Sequence, residues 1–154
     1  MNQSQFSFTI GIVFLSLGVL GFAPSLLSLP PAGFESNIPL DPSIFPYAQG
    51  CGYLFGLFPT NLMHNLVHLT VGLFGIAASG NFYTARSYNR LFAVSYILIA
   101  IMGLLPFTKT VFGFMPIFGN NVWFNALTGL FAGYFGFIKL FNVSSTNNIG
   151  KKKG

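Results

Sequence analysis

The run Asn61-Leu-Met-His64-Asn65-Leu-Val-His68-Leu-Thr-Val-Gly72-Leu-Phe-Gly75-Ile-Ala-Ala-Ser79 decides the fold. It holds no Asp, Glu, Lys or Arg, follows Pro59 and Thr60, and stops at Gly80 and Asn81. An uncharged apolar run of about 20 residues is the length that crosses a hydrocarbon core of roughly 30 Å as a helix. Thr60 or Asn61 is placed to cap its start. Three similar runs flank it, over residues 6–29, ended by Pro30 and Pro31, over 88–105, closed by Pro106, and over 121–141. The first lacks a basic leading region and a small-residue cleavage site, so it reads as a retained helix rather than a signal peptide. The expectation is an all-α fold, an integral membrane four-helix bundle over residues 1–141, followed by a flexible basic tail over 142–154.

Composition agrees. Of 154 residues only 6% are charged, where a soluble domain carries roughly a quarter, while 53% are hydrophobic and 18% aromatic, with 20 Phe. The mean hydropathy is +0.67. The net charge of +5 comes from Arg86, Arg90, Lys109, Lys139 and Lys151 to Lys153 against Glu35 and Asp41. These residues flank apolar segments, so they speak for membrane orientation and against nucleic-acid binding. The single cysteine, Cys51, permits no internal disulfide and belongs to no paired metal-ligand spacing.

With four spans, both termini and the loop between the second and third share one side. That side holds Arg86, Arg90, Lys139 and the three terminal lysines, six of the seven basic residues. The excess predicts cytoplasmic termini. The first loop, residues 30–59, then faces outward, and its apolar part over 45–58 lies in the interface, packs over the helices, or forms a short re-entrant helix.

Shifted against itself by 57 positions, the sequence aligns residues 54–75 with 111–132 without a gap. Phe55 matches Phe112, Gly56 matches Gly113, Pro59 matches Pro116, and Gly72 matches Gly129. The echo predicts two repeated helical hairpins. Small residues recur at helix-packing spacings: Gly72 and Gly75 on the second span, and Gly129, Gly133 and Gly136 on the fourth. In lipid such residues let helix backbones approach, within the bundle or in a seam with a second chain, and the interaction reading makes Gly129 and Gly133 the most sensitive positions.

Asn61, His64, Asn65 and His68 fall at i, i+3, i+4 and i+7, so four polar side chains share one stripe that must face the bundle interior. Asn120, Asn121 and Asn125 on the last span are natural partners, and Asn125 falls opposite His68 in the repeat. The stripe reads first as an interhelical polar zip between the second and fourth spans. The other reading is ligation: His64 and His68, one turn apart, can share a metal ion, or His68 can bind haem or chlorophyll axially. The spans hold no carboxylate, and no other histidine is present to complete a bis-histidine haem site.

No Asp, Glu, Lys or Arg lies in the middle of a span, which argues against an ion pump or coupled transporter. Cys51 and His64 form a conceivable nucleophile pair, with no identifiable orienting group, so no catalytic residues are assigned and the protein is not read as an enzyme. Ala48-Gln-Gly-Cys51 lacks the preceding apolar run of a lipoprotein signal.

The stretch Asn65-Leu-Val-His68-Leu-Thr-Val-Gly72-Leu-Phe-Gly75-Ile-Ala-Ala, with Ala85-Arg86-Ser-Tyr88 after it, resembles a family of small four-span bacterial membrane proteins known only as a domain of unknown function. The shared features are an Asn-x-x-His-x-x-x-Gly-x-x-Gly helix, a short Ala-Arg-aromatic loop and an Asn-rich segment before the last span. The family's last span often repeats the motif with a histidine. Asn125 stands in that place here, and Val122 stands where the preceding asparagine would be. The resemblance covers most of residues 6–141 and implies the fold and the membrane location, the inner membrane of a bacterium or a thylakoid in a phototroph.

The function expected is that of a non-catalytic structural or accessory component. Its partners are the lipid bilayer and either a larger membrane complex or further copies of itself. The alternative is a membrane protein binding haem, chlorophyll or a metal through His68 and His64.

Overall fold

The computed structural model describes residues 1–28 and 52–139. The described chain is mostly helical. Helix α1 (Gln3–Leu20) leads through a single 3-10 turn into β1 (Leu27–Ser28), and β2 (Gly52–Leu54) and β3 (Phe58–Thr60) lead into α2 (Leu62–Ala78). Helices α3 (Phe82–Leu104) and α4 (Asn120–Gly133) follow, and α4 continues as a π-helical turn over Tyr134–Ile138. Cys51, both acidic residues, residues 45–51 of the outer loop and the tail over 142–154 lie outside the described residues.

Each helix boundary has a local cause. At the start of α1 the Asn2 side chain accepts from the Gln5 N–H at 2.8 Å, and the Gln5 side chain accepts from the Asn2 N–H at 2.9 Å, a reciprocal cap that begins the helix at Gln3 rather than residue 6. The helix stops at Leu20, well before the expected residue 29, because Pro24 has no N–H to continue it and Leu27–Ser28 pair with a strand instead. Asn61 caps α2, its Oδ1 accepting the His64 N–H at 2.9 Å. Asn81 caps α3, accepting the Tyr83 N–H at 2.8 Å. That cap starts α3 six residues earlier than expected, so Arg86 rides on the helix and the link from α2 is only residues 79–81.

Two of the helices, α1 at 18 residues and α3 at 23, are long and apolar enough to cross a membrane. At a rise of 1.5 Å per residue they reach about 27 and 35 Å. Helix α2 is apolar but shorter, at 17 residues, and α4 holds α-helical geometry for 14 residues before its π turn.

The sheet was not expected. Its order is β1-β2-β3, all antiparallel, with Leu27 opposite Leu54 and Tyr53 opposite Pro59. Residues 52–60, assigned in part to an interfacial or re-entrant helix, therefore form a hairpin. Phe55 and Gly56 at its tip both have positive φ, 55° and 71°, which a helix does not tolerate and a tight hairpin requires. The second loop repeats this conformation: Phe112 has φ 56° and Gly113 has φ 95°. Pro59 and Pro116 are both fully buried beneath these turns.

Helix α1 packs chiefly on α2, and α3 on α4, each pair antiparallel. Phe14 is fully buried where all four helices meet. Its ring centroid lies 5.0 Å from His68 on α2, 5.2 Å from Phe92 and 5.0 Å from Tyr96 on α3, and 5.5 Å from Phe124 on α4. Outside this centre the surface is strongly apolar, with Phe74, Leu91, Leu104, Trp123, Leu130 and Phe131 all more than half exposed.

Candidate functional site

The polar residues gather where α2 and α4 begin. The first turn of a helix leaves backbone N–H groups without partners, and the loops before it leave carbonyls, so buried carboxamides at this place satisfy both. Asn61 Nδ2 donates to the Phe114 carbonyl at 2.8 Å, and Asn120 Nδ2 donates back to the Leu57 carbonyl at 3.1 Å. Asn121 Nδ2 bridges the Pro59 and Pro116 carbonyls at 2.7 and 3.0 Å. Asn65 Nδ2 donates to the Gly21 carbonyl at 2.7 Å, while its Oδ1 accepts from the Thr60 hydroxyl at 2.6 Å. Thus the expected stripe of Asn61, His64, Asn65 and His68 comes together with Asn121 and Asn125. The amides of Asn61, Asn65 and Asn121 donate to carbonyls of helix ends and turns, and Asn65 also accepts from the Thr60 side chain.

His64 and His68 face each other, Nε2 to Nε2, at 3.0 Å, with their rings nearly perpendicular. His64 is buried, and its Nδ1 has no hydrogen-bond partner. His68 thus pairs with His64 and not with Asn125 as the repeat suggested, although His68 and Asn125 line one small cavity together. The two cavities touching the histidine pair measure about 10 Å³ each. That is room for an ion or a water molecule and not for a haem or chlorin ring. Among the described residues no group of three His, Cys, Asp or Glu is placed to hold a metal.

The glycines divide unequally. A Cβ on Gly72 would lie 2.4 Å from the Leu15 backbone nitrogen, and one on Gly75 would lie 2.9 Å from Gly11 Cα, so the tightest seam is α1 on α2. On α4, Gly129 would meet Ile97 at 3.1 Å and Gly136 would meet Arg90 at 3.0 Å, both on α3. Gly133 has room, with its nearest neighbour Ala93 Cβ at 3.8 Å, and it borders an apolar groove of about 500 Å³ between α3 and α4.

At the opposite end lies a second polar cluster that sequence reasoning missed. Asn89, fully buried, donates to Gln3 Oε1 at 2.8 Å, and the Gln3 amide donates to the Phe135 carbonyl. Arg90 Nε donates to the Gly136 carbonyl at 2.9 Å and lies over the Phe137 ring, and Lys139 donates to the Met1 carbonyl. The Asn2-x-x-Gln5 cap was the one readable signal, since it places Gln3 in the first helical turn.

Fold and site together define a mostly helical protein with an apolar exterior and two clusters of buried amides, one at each end. The chain belongs to the family described as a domain of unknown function (DUF4383), whose family model matches residues 4–138. No curated protein matches it, and no solved structure does.

Proposed function

We propose that this chain is a four-span integral membrane protein, built as two repeated helical hairpins, which acts as a non-catalytic structural or accessory component. It works through helix packing with copies of itself or with a larger membrane complex. The observation that carries this reading is the exterior: Phe74, Leu91, Trp123 and Phe131 lie exposed on α2, α3 and α4, while Asn61, Asn65, Asn89, Asn121 and Asn125 are among the buried residues. A water-soluble monomer does not expose such a surface, and lipid requires it. The matching positive-φ turns at Phe55-Gly56 and Phe112-Gly113 support the repeat. The groove beside Gly133 supports a seam for a partner helix.

Arg86, Arg90 and Lys139 gather with Met1 near one end, and Lys109 belongs to the opposite loop, which supports termini on the cytoplasmic side of a bacterial inner membrane or of a thylakoid. The test is gentle extraction from the native membrane, followed by native electrophoresis and a visible absorption spectrum. The reading expects a chain resistant to carbonate washing, colourless, and migrating in an assembly larger than a monomer. Release by carbonate, or a visible band lost in His68→Ala, overturns it.

A further inference from the structure

We propose that His64 and His68 form a binding site for one soft monovalent cation of the copper(I) type, completed by the Met115 thioether. The proposal goes beyond the packing role and stands on the geometry of the pair.

Two neutral imidazoles meeting Nε2 to Nε2 at 3.0 Å share one proton between two nitrogen lone pairs. A metal ion takes the place of that proton when the donating imidazole shifts its N–H from Nε2 to Nδ1, so that both rings offer an Nε2 lone pair and stay neutral. With metal–nitrogen bonds of about 2.0 Å, the observed separation corresponds to an angle of about 97° at the ion, so both rings reach it with little movement. A ligating imidazole usually turns its other N–H toward a backbone carbonyl, which fixes the tautomer. His64 Nδ1 is buried and has no hydrogen-bond partner in the present arrangement. The small cavity beside the pair is also lined by Met115 and Asn125, residues that carry a thioether and an amide.

The donor set selects the ion. Among the described residues lining the cavity beside the pair there is no carboxylate and no thiol, and the donors there are neutral. A dication would carry two uncompensated charges into a buried site, next to the first turns of α2 where the helix dipole is positive. A monovalent soft ion halves that charge, and imidazole and thioether are ligands that suit copper(I).

The test uses the full chain in detergent, with Cys51→Ala as the parent, and copper(I) presented under reducing conditions by a coloured chelator. The expected result is one equivalent withdrawn from the chelator per chain, with affinity lowered about tenfold or more in His64→Leu and in His68→Leu. Zinc(II) in excess should not displace it. X-ray absorption of the loaded parent, which needs no folded variant, should show nitrogen and sulfur scatterers together, with the sulfur lost in Met115→Leu. No withdrawal, displacement by zinc, binding unchanged in both histidine variants, or a shell without nitrogen overturns the proposal.

Discussion

Asn65 on α2 closes the end of α1, its Nδ2 donating to the Gly21 carbonyl at 2.7 Å across the interface. The same side chain accepts from the Thr60 hydroxyl at 2.6 Å, so one buried amide joins the end of α1, the end of β3 and the start of α2. Asn65→Leu strands a carbonyl and a hydroxyl away from water. The expected loss is about 1–3 kcal/mol, read as a lower melting point in detergent. An unchanged melting point would mean that this contact does not hold the hairpin.

The seam between α1 and α2 has no space for a methyl group. Gly72→Ala drives a Cβ to 2.4 Å from the Leu15 backbone and is expected to destabilise by about 1–3 kcal/mol, while Gly133→Ala, 3.8 Å from Ala93, is expected to be neutral. Thermal unfolding of the two variants side by side checks the order. The reverse order would restore the expectation that the Gly129 and Gly133 pair matters most.

Gly113 sits at φ 95°, where an L side chain is strained, and Gly113→Ala is expected to cost about 1–2 kcal/mol. Gly80→Ala, with its nearest neighbour 3.8 Å away and no positive φ, serves as the control. Equal stability of the two variants would argue against the turn as drawn.

The histidine pairing is open to a double-mutant cycle. His64→Leu with His68→Leu should show a coupling of about 0.6–2 kcal/mol, typical of polar contacts between buried side chains in membrane proteins. His68→Leu with Asn125→Leu should be additive to within about 0.5 kcal/mol. Coupling only in the second cycle would return His68 to α4.

The helical class and the polar stripe were legible because both rest on local signals: unbroken apolar runs, and four polar residues on one helical face ahead of Gly72. Asn61 was legible as a cap for the same reason. The start of α3 was not, because Thr84, Arg86 and Ser87 resemble loop residues by composition, and the Asn81 cap begins the helix ahead of them. The end of α1 was hidden by the apolar character of residues 21–29, of which Leu27 and Ser28 pair as a strand with partners 25 or more residues away. Within the site, the residue types were readable, but their partners were not. Most are backbone carbonyls of the two loops, and nothing in a side-chain pattern identifies a carbonyl.

Sidedness of cysteine labelling tests the central claim most directly. In a Cys51→Ala background, Ser87→Cys lies on exposed helix surface near the basic end, and Lys109→Cys lies in the loop between α3 and α4. With right-side-out vesicles and a membrane-impermeant maleimide, the account predicts labelling of Lys109→Cys in intact vesicles and of Ser87→Cys only after permeabilisation. Labelling of both from the same side would contradict a chain that crosses the membrane on α3.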